Sequence, residues 1–267
     1  PYVPSMTMSE LLASMAGSMA CVSGGVLAVY IGMGMKANYL LTASIMAAPG
    51  ALVISKIVWP ETEESKTQGK VQIEVKKTNA NLIDAAAHGG SDGLRIGLNV
   101  VAMLIAFLAL IAMCNQFMAW VGTVLYSWGM RLDAIGLDLN HLQMQSIFGV
   151  LFSPIAWLIG VPWADAQTVG RLMGEKIVLN EFVAFTDLSK ILAGTFVPPL
   201  QLSKQAELVA TFALCGFANF SSIAMQVGGI GEIAPSRRQD LARLGIRALI
   251  CGTLASYLSA TLAGLLV

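Results

Sequence analysis

The sequence predicts an all-α membrane protein, a polytopic helical bundle with broken helices and a re-entrant hairpin, and three observations carry that prediction. Of its 267 residues, 56% are hydrophobic and only 12% charged, where soluble domains carry about 25% charged residues. Apolar runs of about 20 residues, the length that crosses a bilayer, recur along the chain. Several of these runs are interrupted by glycine, proline or polar residues, and irregular backbone at membrane depth is tolerated only where it lines a cavity or is buried in protein. The 16 basic and 16 acidic residues cancel, which removes any argument for nucleic-acid binding. Four cysteines in apolar stretches without CxxC spacing, and two distant histidines, His88 and His141, predict neither a disulfide frame nor a metal site.

The first apolar run extends from Met8 to Met33. Gly17, Gly24, Gly25 and Gly32 make it a poor continuous helix, so a break is expected near Val22-Ser23-Gly24-Gly25. The run from Tyr39 to Trp59 contains Pro49-Gly50 and stops at Pro60; it reads as a kinked spanning helix. Glu61 to Asp92 is the one long polar stretch, mixing Glu61, Glu63, Glu64 and Glu74 with Lys66, Lys70, Lys76 and Lys77. It predicts a solvated loop with a short amphipathic helix around Asn81 to Ala87. Leu94 to Ser127 is longer than a perpendicular span needs and should tilt or bend. Ser146 to Val161, with Pro154 inside and Pro162 at its end, suits an interfacial or buried segment. Asp165 to Leu179 and Phe182 to Phe196 are half-length arms flanking Asn180-Glu181, the pattern of a re-entrant hairpin. The last spans are Glu207 to Ile230 and Leu241 to Val267.

Arg237, Arg238, Arg243 and Arg247 outnumber the acids Glu232 and Asp240 around the connection between those last spans. The positive-inside rule makes the 231–247 loop cytoplasmic, the C-terminus extracytoplasmic, and the 61–92 loop cytoplasmic as well. The hairpin then enters from outside. The chain opens Pro1-Tyr2-Val3-Pro4, without the charged and apolar regions of a signal peptide, and reads as an excerpt.

Irregular backbone at membrane depth is expected in three places: Cys21 to Val26, Leu179 to Phe182, and Gly216 to Ser222. In transporters such breaks form substrate and ion sites. An ionisable group in lipid is costly without a partner and marks a functional site, which singles out Glu181. Its carboxylate supplies two acceptor oxygens, Asn219 an amide, Ser222 a hydroxyl three residues on, and Phe217 an aromatic face. The set suits a neutral, hydroxyl-rich ligand with a flat ring, and repels an anionic one. Other readings stand beside it. Asn219 and Ser222 read alternatively as interhelical glue, Glu181 as a purely structural, Lys176-paired or solvent-facing group, and Gly24-Gly25 as a close-packing site. Lys176 is expected to snorkel to an interface.

The segment Gly174-Glu175-Lys176-Ile177-Val178-Leu179-Asn180-Glu181-Phe182-Val183-Ala184-Phe185 resembles the G-x-K-x-x-x-N-E-F-V-A-aromatic pattern of the concentrative nucleoside transporters. Gly216 to Ser222 is similar to that family's G-F-A-N-x-S-S motif, and Phe152 to Trp163 and Ile54 to Thr62 are similar to its members. The likeness covers essentially the whole chain.

The resemblance implies inverted repeats and a homotrimeric importer of nucleosides, usually sodium-coupled and proton-coupled in some members, that works by an elevator motion in the inner or cell membrane. Glu181, Asn219 and Ser222 would bind ribose hydroxyls, with Phe217 beside them and apolar contacts from Val26 and Leu108. Backbone carbonyls at Cys21 and Val22 would help hold sodium; Cys21 stands where serine is common, a change a carbonyl ligand tolerates. Residues 1–60 would be first-repeat transport helices, 61–93 a cytoplasmic loop with an interfacial helix, 94–162 scaffold, and 163–267 the second-repeat transport domain. The family's first hairpin, with its G-Q-T/S-E tip, should lie just before Pro1, so the chain reads as the C-terminal two-thirds of such a protein. From another class come a membrane enzyme using Glu181 as general base with Asn219 as oxyanion donor, and a transport-dead fragment acting as a structural partner.

Overall fold

The structure, a computed structural model, describes residues 2–65, 81–132, 137–197 and 200–266; the side chains of residues 96, 99, 100, 103, 104, 107, 108 and 145 stand outside that set. Ten α-helices order the described residues, joined by short 3-10 turns and loops. Helix α1 (Met8–Ala20) starts in a capping box, Thr7 accepting from the Glu10 amide while the Glu10 carboxylate accepts from Thr7. The chain breaks at Cys21, Val22 and Ser23 and resumes as α2 (Gly24–Gly32). Helix α3 (Ala37–Val58) carries Pro49 within it. The next helix, α4 (Leu82–Ser127), is continuous over 46 residues from its Asn81 cap. The separate short helix expected at Asn81 to Ala87 is therefore its first turns, because Gly89, Gly90 and Gly93 only weaken a helix that their apolar and polar neighbours continue. Lys66, Lys70, Glu74, Lys76 and Lys77 of the preceding loop lie outside the described residues.

After α5 (Met144–Leu158), two helices form the hairpin: α6 (Trp163–Val178) and α7 (Glu181–Leu192), which pack on each other. The arm of α5 rests mainly on α6 rather than on α4, with which the sequence grouped it. Its fit is tight, since a side chain at Gly170 would meet the Gly149 carbonyl and the Ser153 amide, each at 2.7 Å. A second broken helix follows as α8 (Lys204–Leu214) and α9 (Phe220–Ile233), and α10 (Arg238–Leu265) closes the chain. Four stretches among the described residues are long and apolar enough to cross a membrane: Met8–Gly32, Ala37–Val58, Ala109–Ser127 and Pro235–Leu265.

Packing centres on α10, which has buried residues from Leu241 to Gly264 and touches α1, α3, α8 and α9. Small residues make these close approaches: Gly50 lies 3.7 Å from Ala255 and Gly252 only 2.9 Å from the Met19 side chain, counted from where a Cβ would stand. One core joins α2, α6, α7 and α8 through Tyr30, Leu172, Phe185 and Leu214; a second joins α1, α3 and α10 through Met15, Met19, Ala51 and Leu244. At the start of α1, Glu61 accepts from Thr7 Oγ1 at 2.8 Å and Lys56 Nζ at 3.1 Å, while Lys56 also donates to Ser9 Oγ. Burial works to raise the Glu61 carboxyl, and bonds from Thr7, Lys56 and the Glu63 amide outweigh it and hold it below its ordinary value. This staple is intact above the ordinary carboxylate range and loosens as pH falls through the depressed value.

The two broken helices meet at Gly216. It has φ +121, and a Cβ there would lie 2.6 Å from the Ala20 carbonyl oxygen at the end of α1. Only glycine meets both demands, since a left-handed backbone penalises any side chain and the obstacle is itself backbone. Gly216→Ala is expected to cost about 2–4 kcal/mol, read as a lower Tm and a smaller folded fraction of detergent-solubilised protein. An unchanged Tm would show that the two breaks do not press on one another.

Candidate functional site

Glu181 is the first residue of α7, with Asn180 as N-cap accepting from the Val183 amide. That position favours a carboxylate, since the helix N-terminus presents unpaired N–H groups and the positive end of the dipole. The side chain is buried, 6% exposed, and both its oxygens have donors. Tyr30 Oη donates to Oε1 at 3.3 Å, and Asn219 Nδ2 donates to Oε2 at 2.9 Å. A carboxylate offers about four acceptor positions, so room remains for a further donor.

Asn219 is the N-cap of α9. Its Oδ1 accepts from the Ser222 amide at 2.8 Å, Ser222 Oγ at 2.9 Å and Ser221 Oγ at 2.6 Å. The three-residue spacing from Asn219 to Ser222 is a capping contact, because Asn219 precedes the helix. Its acceptor is used locally; what it presents outward is the second N–H of Nδ2. Ser222 Oγ has one hydrogen and two acceptors in reach, Asn219 Oδ1 and the Phe217 carbonyl, which leaves its own oxygen able to accept.

These groups line a cavity of about 600 Å³, together with Phe217, Asn180 and Phe182. Phe217 is half-buried in its wall. Val26, Cys21 and Val22 do not line it: Val26 packs against the Tyr30 core, and Cys21 and Val22 form the break between α1 and α2. The Leu108 side chain lies outside the described residues. The last turn of α1 ends at that break, where helix carbonyls lack intrahelical donors.

Lys176 does not reach an interface. It is fully buried, and its Nζ donates to the Ala213 carbonyl at 2.9 Å. Ala213 stands in the last turn of α8, where the break to α9 orphans carbonyls, so the ammonium serves the hydrogen-bonding deficit of the broken helix. The hairpin is tied elsewhere by Ser189 Oγ, donating to the Met33 carbonyl at 2.6 Å, while Lys36 and Glu207 pair at 2.9 Å.

A family model described as "Na+ dependent nucleoside transporter C-terminus" matches residues 39–264. The chain belongs to the sodium-dependent nucleoside transporter family. Over its whole length it is 44% identical to an uncharacterized transporter of Haemophilus influenzae, 41% identical to the nucleoside permease NupC of Helicobacter pylori, and 39% identical to sodium/nucleoside cotransporter 2 of Rattus norvegicus. It spans 61%, 60% and 40% of those proteins, respectively. Among solved structures it is similar to CNTnw in an inward-facing substrate-bound state, with 46% identity and a TM-score of 0.77 over 99% of this chain and 59% of that one. The family bears out the resemblance carried by the hairpin and G-F-A-N motifs, and with it the all-α membrane fold.

Three cavity or support residues escaped the sequence reading. Gln226 lies four residues after Ser222 and lines the same cavity; its Nε2 donates to the Met15 carbonyl at 3.1 Å and to Ser18 Oγ at 2.7 Å. Continuing the polar stripe from Asn219 and Ser222 by one turn would have found it. Ser18 lies on α1, three residues before the break. Tyr30 sits in an unbroken apolar run and carries no signal of its own. For Lys176, Lys176→Met preserves length and removes the donor. The substitution is expected to cost about 1–3 kcal/mol by leaving the Ala213 carbonyl unpaired, measured as a lower Tm in detergent; wild-type Tm would mean the carbonyl is satisfied otherwise.

Proposed function

We propose that the complete protein to which this chain belongs imports nucleosides across the cell membrane, driven by a cation gradient, with sodium as the coupling ion. Glu181, Asn219 and Ser222 bind the ribose hydroxyls, and Phe217 offers an apolar face beside them. The observation that carries this reading is the residual hydrogen-bonding capacity at the cavity wall. Glu181 retains acceptor capacity, Asn219 a second N–H, and Ser222 an acceptor oxygen. Adjacent ribose hydroxyls are each both donor and acceptor, so one donates to the carboxylate while accepting from the amide. A phosphorylated sugar would bring its charge to a carboxylate in a low-dielectric site and be rejected.

The apolar contact proposed is Leu108; Val26 packs against the Tyr30 core behind the cavity wall and supports the site from there. Sodium is proposed to take backbone carbonyls at Cys21 and Val22, hard oxygen ligands of the kind alkali cations accept. The names of relatives support sodium, since the rat protein is called a sodium/nucleoside cotransporter. The same reading makes the protein a homotrimer in which the parts grouped as 1–60 and 163–267 move by an elevator motion against a scaffold including residues 94–162. It places the 231–247 arginines on the cytoplasmic side and the C-terminus outside.

Glu181→Gln in the full-length protein keeps the side-chain shape and removes the charge that accepts hydroxyl hydrogens. Uridine uptake is expected to be abolished while membrane expression persists; normal uptake would remove Glu181 from the site. Imposing sodium and pH gradients separately on proteoliposomes is expected to give uptake with the sodium gradient alone. Uptake driven only by the pH gradient would assign the coupling to protons instead, and conversion of the nucleoside to a new product would point to an enzyme.

A further inference from the structure

Tyr30 is the largest of the fully buried side chains among the described residues. It stands on α2, in the run Gly24-Gly25-Val26-Leu27-Ala28-Val29-Tyr30, and is surrounded by the apolar core of the hairpin. A phenol hydroxyl in such a place costs free energy unless it finds a partner, and the partner it finds is Glu181 Oε1 at 3.3 Å. The contact is long for an O–H···O bond. It steers the carboxylate without exhausting the acceptor.

The ring that carries this hydroxyl is held by the same helix that carries Glu181. Phe185, one turn along α7, stacks on Tyr30 with centroids 4.3 Å apart and planes at 30°. The position of the hydroxyl relative to the carboxylate is thus set by a stack built into α7 itself. Asn219 holds the other oxygen from α9 at 2.9 Å. A glutamate has several rotatable bonds, and donors on opposite oxygens from two different helices fix the plane of the carboxylate. Tyr30 does not line the cavity, so its hydroxyl reaches a ligand only through Glu181.

We infer that Tyr30 is a positioning residue for sugar recognition, aiming Glu181 Oε1 so that its remaining lone pair faces one particular ribose hydroxyl. This rests on the reading of Glu181 as the ribose acceptor. It makes Tyr30 a determinant of selection between ribonucleosides and deoxynucleosides, because only a ligand carrying the hydroxyl that meets Oε1 benefits from the aim. A nucleoside lacking that hydroxyl leaves Oε1 to Tyr30 alone and is indifferent to the loss of the phenol oxygen.

The test uses the full-length transporter in proteoliposomes and compares uridine, 2'-deoxyuridine and 3'-deoxyuridine. Tyr30→Phe keeps the ring and its stack on Phe185 and removes only the hydroxyl. It is expected to raise KM for uridine about threefold to tenfold, the range of one ordinary hydrogen bond. The maximal rate should stay within about twofold, as for a lost binding contact. One of the two deoxynucleosides should keep its wild-type KM, identifying the hydroxyl that Oε1 receives. Phe185→Leu, which loosens the ring and leaves the hydroxyl, should give the same pattern more weakly and serves if Tyr30→Phe folds poorly. Equal losses for all three substrates, or no loss for uridine, would overturn the positioning role while leaving nucleoside transport intact. A wild-type protein that takes up no nucleoside would overturn the underlying reading and this inference with it.

Discussion

In hydrocarbon, a helix that stops must find partners for the backbone groups it leaves behind, and the fold of this chain is organised by how that demand is met. Asn219 meets it at one place with both ends of a single amide. Its oxygen takes the Ser222 amide at the start of α9, and its nitrogen holds Glu181 at the start of α7. Two helix N-termini, one in the hairpin and one in a broken helix, are thereby joined through one side chain. On the far side of the same break, the Lys176 ammonium takes the Ala213 carbonyl that α8 leaves open. The polar groups that look like isolated expenses in an apolar sequence each serve a break in a helix or the carboxylate beside it.

The exterior follows the opposite logic. Ile45, Ile57, Leu98, Ile105 and Leu265 lie well exposed on α3, α4 and α10, as expected where the surrounding solvent is as apolar as the side chains themselves. Inward faces of α1, α3 and α10 are instead rich in alanine, glycine and serine. Close approach, rather than expulsion of apolar surface from water, does the packing there.

Much of this was legible in the sequence because membrane helices are read by length and interruption. The glycine cluster after Cys21, the Asn180-Glu181 tip and the Gly216 to Ser222 stretch all announce themselves as departures from apolar helix. The helix expected from Asn81 was ended too early at Ala87, because the polar stretch was read as loop through Asp92 where the helix runs on without a break. Asn219 and Ser222 were proposed as site residues from their chemistry; that their spacing is a helix cap emerges only with the fold. Lys176 was misplaced because a charge is assumed to seek water, and sequence alone does not show that an orphaned carbonyl waits for it on α8. Tyr30 was invisible for the complementary reason. An aromatic in an apolar run looks like core, and it is core at every atom except its oxygen.

The bond between Lys176 and the end of α8 also bears on how the hairpin can move. Swinging α6 away from α8 as a lid would strand an ammonium and a carbonyl together in a low-dielectric interior, and would break the Asn219 to Glu181 contact as well. Such an opening is mechanically stiff near the tip. Motions that carry the hairpin and the broken helix together leave both contacts untouched.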